Sequence, residues 1–119
     1  MAQELTLNLT MGFSKNNISN TMTSGTQKFD VAGSDYVRET WSVPTAVTAI
    51  PVSAITTPGY FMVTNRDDTN FVDVYSSAAG AACVRIKPGE WAVFRFAGTT
   101  PAMKADTAPV KVEFSLLAD

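Results

Sequence analysis

The chain has 119 residues, of which 45% are hydrophobic and 17% charged, with a formal net charge of −2. That size fits one domain with one modest core, and the apolar fraction excludes wholesale disorder. The nine Lys and Arg residues are scattered and no apolar run approaches the ~20 residues of a membrane helix, so neither nucleic acid nor membrane is an expected partner.

Period-two alternation runs through the chain from its start. Leu5, Leu7, Leu9, Met11 and Phe13 alternate with Thr6, Asn8, Thr10 and Gly12, which predicts a long strand with one apolar face. Lys15-Asn16-Asn17 supplies a turn, because Asn tolerates the left-handed region. Ile18 to Asp30 is polar, with Thr21, Thr23 and Thr26 around Gly25, and reads as a weak strand or exposed ribbon. After a turn at 32–35, Val37, Glu39, Trp41 and Val43 share a face of the next strand.

Val47 to Val52 reads as a short strand bounded by Pro44 and Pro51. Thr57-Pro58-Gly59 predicts a turn, with Gly accepting positive φ, before a central strand over 60–64. Asn65 to Asn70 reads as a polar hairpin loop from which Phe71 to Tyr75 returns, and Ser76 to Ala82 as a loop of small residues. Val84 and Ile86 share a side of a strand that ends at a second Pro-Gly turn, Lys87-Pro88-Gly89-Glu90. Trp91 to Phe96, a short strand over 103–106, and the alternating Val110, Val112, Phe114 and Leu116 complete the chain. The two Pro-Gly turns each precede an aromatic-led strand, which is weak evidence for a pseudo-repeat. Turn signals every ~8–12 residues and the lack of helical periodicity predict an all-β fold. The expected architecture is a single-domain, jelly-roll-like β-sandwich over 1–119, with about eight to ten short antiparallel strands. Residues 1–15 form either one of its strands or an extended N-terminal arm.

Histidine is absent, which removes the usual general base and the commonest metal ligand. Asn65, Asp67, Asp68 and Asn70 carry oxygen ligands suited to Ca²⁺, but Asn70 stands at loop position six where Gly is needed. Ser76 stands at position twelve where Glu is needed. The alternative, side chains capping local backbone donors, is preferred. Glu39, Asp73 and Glu90 have no spacing that demands a glycosidase pair, and isolated acids on alternating strands ordinarily face solvent. Ser, Thr and Cys have no His partner and no nucleophile elbow. No catalytic residue, metal or cofactor is expected. Trp41, Tyr60, Tyr75 and Trp91 could form a sugar-stacking platform, but in so short a chain core positions are expected for them. Cys83 is the only cysteine, so it makes no internal disulfide and is expected to be a buried or half-buried filler. The N-terminal Met1-Ala2-Gln3-Glu4-Leu5 lacks a basic segment and apolar h-region. Cytoplasmic synthesis is therefore expected, and the sequons at Asn8 and Asn17 carry no meaning.

The run Thr57-Pro58-Gly59-Tyr60-Phe61 is followed by Asn65-Arg66-Asp67 with Thr69-Asn70-Phe71-Val72. Then come Ile86-Lys87-Pro88-Gly89-Glu90 and Met103-Lys104-Ala105-Asp106-Thr107-Ala108. In order and spacing these motifs resemble small β-sandwich virion proteins of tailed bacteriophages, over residues from about 18 to 117. The resemblance implies a non-enzymatic structural part of a virus particle, made in the host bacterial cytoplasm. It most resembles a capsid cement or decoration protein whose partner is the major capsid protein. A head–tail, collar or tail component is the alternative within that class, and a carbohydrate-binding host-attachment module lies outside it. Such decoration modules commonly associate as dimers or trimers, so a homo-oligomer is implied.

Two surfaces are expected to carry the contacts. Leu5, Leu7, Leu9, Met11 and Phe13 either cover the module's own core or add to a neighbouring sheet. The loop residues Asn65, Asp67, Asp68 and Asn70, with 76–82, form the second surface.

Overall fold

The computed structural model of the chain describes residues 3–52 and 55–119. Met1 and Ala2, part of the N-terminal reading, lie outside the described residues. All regular structure among the described residues is β-strand, and every strand pair is antiparallel. The chain divides into two compact units, one ending at Ala32 and the other spanning Gly33–Asp119.

The first unit is a hairpin of β1 (Leu5–Lys15) and β2 (Ile18–Phe29), which form a two-stranded sheet of their own. Asn16 and Asn17 connect them with φ of 53° and 67°, a mirror-image turn whose twist matches that of the strands. At the base, Asp30 accepts a bond from the Gln3 amide (2.9 Å) and Glu4 one from the Val31 amide (3.1 Å). Toward the tip, Met11 pairs with Met22, Phe13 with Asn20 and Lys15 with Ile18. Toward the base, Leu9 pairs with Gly25, Leu7 with Gln27 and Leu5 with Phe29. The register shifts between Leu9 and Thr10, leaving Ser24 as an extra residue in β2.

That bulge sets the hairpin's sidedness. Ile18 and Met22 lie at even positions and Phe29 at an odd one, so unbroken alternation would send them to opposite faces. One extra residue brings all three to the face of Leu5 through Phe13. Gly25 takes φ +63° there, a conformation that side chains with a Cβ resist. The Ser24 hydroxyl accepts from the Leu9 amide (2.9 Å) and donates to the Gly25 carbonyl (2.7 Å). The opposite face is a row of Thr, Ser and Asn, with Thr10 and Thr23 hydroxyls bonded across it at 3.0 Å.

The second unit holds β3 (Tyr36–Val43), β4 (Thr48–Ala49), β5 (Pro58–Asn65), β6 (Val72–Tyr75), β7 (Ala82–Ile86), β8 (Trp91–Arg95), β9 (Ala102–Ala105) and β10 (Val110–Ala118). One sheet has the order β3-β10-β5-β8 and the other β4-β9-β6-β7. Counted from β3 as the first strand, the orders are 1-8-3-6 and 2-7-4-5, the double Greek key of a jelly roll. The inward faces supply one core: Phe61, Val63, Val112, Phe114 and Leu116 from the first sheet, and Val72, Val74, Ile86 and Met103 from the second. Phe61 sits at its aromatic centre, with ring centroids 5.0 Å from Phe96, 5.5 Å from Phe114 and 5.6 Å from Phe94.

Several local expectations are corrected. Asn65 to Asn70 is not a hairpin loop, since β5 and β6 belong to different sheets; within the sandwich only β6 and β7 pair as consecutive strands. Pro58-Gly59 is not a turn but the start of β5. A Cβ on Gly59 would come within 3.2 Å of the Leu117 carbonyl and of Asp119, tighter than ordinary contact. Pro88-Gly89 is a turn, closed by the Glu90 amide on the Lys87 carbonyl at 3.0 Å, so the two Pro-Gly pairs do not mark a repeat. The strand expected over 47–52 shrinks to Thr48–Ala49, because Pro51 offers no N–H to extend the ladder. Ile50 instead donates to the Pro101 carbonyl at 3.0 Å.

Candidate functional site

The loop after β5 is organised by a buried amide. Asn65, only 1% exposed, donates through Nδ2 to the carbonyls of Asn70 (2.9 Å) and Ile86 (3.0 Å), and its Oδ1 accepts from the Asp67 amide at 2.8 Å. Its own amide donates to the Glu90 carbonyl, and its carbonyl accepts from Gly89. One side chain thus ties the β5–β6 crossover to the β7–β8 turn. Asp67 Oδ2 then accepts the amides of Asn70 (2.6 Å) and Thr69 (3.0 Å), which hold its carboxyl below the usual range. Asn70 Oδ1 accepts from the Thr107 hydroxyl at 2.9 Å. These oxygens cap backbone and side-chain donors, and among the described residues no group of three or more His, Cys, Asp or Glu is gathered. Asp68 is exposed, Asp67 and Asn70 half-buried.

The other acids do not converge. Glu39 is half-buried on the edge strand β3, and Glu90 is exposed in the β7–β8 turn, where it accepts the Lys87 amide at 3.0 Å. Asp73, expected to face solvent, is buried on β6. The correction has a cause in the register: Arg85 stands directly opposite on β7 and binds both its oxygens, at 2.8 and 3.0 Å. The same guanidinium lies 3.8 Å from the Phe71 ring centre.

A shallow concavity of about 340 Å³ lies on the outer face of the first sheet, lined by Arg38, Met62, Thr64, Arg66, Trp91 and Glu113 among others. Trp91, expected in the core, is 58% exposed. Ala92 and Phe94 are the β8 residues that pack on the core, so alternation sends Trp91 outward. Trp41, Tyr60 and Tyr75 are half-buried. Glu113 accepts from Arg66 (2.6 Å) and Arg38 (3.1 Å), and those guanidiniums hold its carboxyl below the usual range. Cys83 is exposed, not buried, for the same reason as Trp91: Val84 and Ile86 take the inward positions of β7.

The hairpin carries six of the nine large hydrophobic residues that are exposed among the described residues. Leu5 and Leu7 are half-buried, while Leu9, Phe13, Ile18, Met11 and Met22 are 45%, 47%, 64%, 72% and 73% exposed, all on one face. β1 pairs with β2 alone and joins neither sheet of the sandwich. Sequence reasoning found the β1 half of this face and missed Ile18 and Met22. Their spacing within a polar strand, together with Gly25 as a bulge signal, was the only available clue. Comparison with protein-family models, curated proteins and solved structures returns no match to the chain.

Proposed function

We propose that this protein is a non-enzymatic structural component of a bacteriophage virion, a capsid cement or decoration protein that binds the assembled shell. The observation carrying the reading is the hairpin face of Leu9, Met11, Phe13, Ile18 and Met22. Soluble monomers rarely keep a contiguous apolar patch of this kind in water, and a lone two-stranded hairpin is marginal without packing. The sandwich supports the reading differently. Among the described residues no buried side-chain nitrogen or oxygen lacks a partner, as in a well-packed structural β-sandwich. Jelly rolls serve in viral capsids and in lectins, and fold alone does not choose between them. The phage assignment itself draws on the sequence motifs at 57–61, 65–72, 86–90 and 103–108.

The mechanism is mass action. A module with affinity for assembled subunits, and none for free ones, stabilises the assembled state by RT ln(1 + [L]/Kd). The test is cosedimentation of the purified chain with assembled shells and with free major capsid protein. Saturable binding to shells alone is expected. Binding to tails or collars in place of shells shifts the location to those parts, and binding to no virion part overturns the proposal.

Exposed Trp91 favours a second reading, a carbohydrate-binding host-attachment module. Its indole, with Arg66 5.9 Å from the ring centre and Glu113 nearby in the same concavity, offers a stacking plane beside hydrogen-bonding groups. Glycan-array binding that Trp91→Ala abolishes would establish it; an array with no binding removes it.

A further inference from the structure

We infer that the apolar face of the β1–β2 hairpin is covered by the same face of a second copy of this chain, the two hairpins running antiparallel. The inference rests on the reading of this protein as an assembling structural component and adds the occupant of the face.

Three observations select that occupant. The first is area. Leu9, Met11, Phe13, Ile18 and Met22, at 45–73% exposure, offer on the order of 600 Å² per copy, against the ~800 Å² per partner of a standard stable interface. Leu5, Leu7, Asn20 and Gln27 on the same face supply the remainder.

The second is charge. Residues 5–14 and 16–27 carry no charged side chain, so two such faces meet without burying an ion. The hairpin's charges lie at its ends: Lys15 at the tip, and Glu4, Lys28 and Asp30 at the base. The tip is therefore positive and the base net negative. Antiparallel packing sets each tip over the partner's base, whereas parallel packing sets Lys15 against Lys15.

The third is the position of the polar side chains. Apart from Lys15 at the tip and Ser24 in the bulge, whose hydroxyl is spent on the Leu9 amide and the Gly25 carbonyl, the polar side chains of this face are Asn20 and Gln27, opposite Phe13 and Leu7 respectively. A two-fold axis passing between the Leu9 and Met11 rows places the Phe13–Asn20 row over the partner's Leu7–Gln27 row. Each Asn20 amide then meets a Gln27 amide of the other copy, and buried amides need such partners. Gln27 already spends its Nε2 on the Ser24 carbonyl at 2.8 Å, leaving Oε1 to accept from Asn20. The symmetry is isologous: one patch, used twice, closing a pair.

Sedimentation analysis of the full chain at tens of micromolar tests the inference. A dimer is expected, and Met11→Lys with Met22→Lys should weaken it by at least ~100-fold while near-UV circular dichroism of the sandwich is unchanged. Orientation is read in a Cys83→Ser background by mixing Asn20→Cys and Gln27→Cys chains with a short bis-maleimide. Crosslinks should join position 20 to position 27 and not 20 to 20. A monomeric wild-type chain, a dimer that survives both lysines, or 20-to-20 crosslinks would each overturn the inference. A monomer that still enters particles through its hairpin rejects this pairing and leaves the virion reading standing. A dimer found in no particle does the reverse.

Discussion

Met11 faces Met22 across the hairpin on the side that also carries Leu9, and the extra residue at Ser24 is what brings the base of β2 into phase with them. The sidedness of the hairpin therefore depends on a backbone irregularity as much as on side-chain choice. Deleting Ser24 would remove the bulge and leave Met22, Gly25, Gln27 and Phe29 in unbroken alternation on the Leu9 face. The expected outcome is retained self-association, with the amide exchange of β5 and β10 unchanged; lost self-association would contradict Ser24 as the extra residue. Gly25→Val should destabilise the hairpin by about 1–2 kcal/mol, because a β-branched residue resists the left-handed conformation at φ +63°.

Asn65 joins two crossovers through one amide. Asn65→Ala leaves the carbonyls of Asn70 and Ile86 and the Asp67 amide without their partner, and a loss of about 2–3 kcal/mol in urea unfolding is expected. Asn65→Asp should be no better, since it sets a carboxylate against two carbonyl oxygens. A change under about 0.5 kcal/mol, the scatter of an ordinary surface substitution, would contradict the linking role.

Phe61 and Trp91 form a contrasting pair. Phe61→Ala empties the centre of the aromatic cluster and should cost about 3–5 kcal/mol. Trp91→Ala, on the outer face, should change stability by no more than about 0.5 kcal/mol. Equal losses would mean that Trp91 packs into the core.

Acid sensitivity follows from three depressed carboxyls, Glu4, Asp67 and Glu113. A folded-state pKa below the unfolded value contributes stability that is complete above the ordinary carboxylate pKa of about 4 and is lost as pH falls through the folded value. Melting temperature should therefore drop on acidification below that range. Glu113→Gln should flatten part of the drop, more visibly at low salt because the Arg38 and Arg66 pairs are solvent-facing. A melting temperature that rises on acidification would contradict the assignment.

The strands and turns were legible in the sequence where alternation and turn chemistry agree. Leu5–Phe13, Asn16-Asn17, Lys87–Glu90 and Val110–Leu116 all stand where their pattern puts them. What escaped depends on relations between strands. A polar run such as Asn65–Asn70 looks alike whether the chain returns within its sheet or crosses to the other. The outward turn of Trp91 follows from Ala92 and Phe94 taking the core side of β8, a choice that an aromatic-rich string does not reveal. The burial of Asp73 needs Arg85, twelve residues away, to be its cross-strand neighbour. The second half of the hairpin face was hidden because Ile18 and Met22 stand apart in a polar run, and because Ser24 puts Phe29 out of phase with them.

Quantitative mass spectrometry of purified phage particles, produced with the wild-type chain or with the Met11→Lys, Met22→Lys variant, tests the assembly role most directly. The wild-type chain should be present at a fixed number per particle, while the variant remains folded in the lysate and is missing from particles. Particles that lack the wild-type chain, or that take up the variant equally well, would contradict the account.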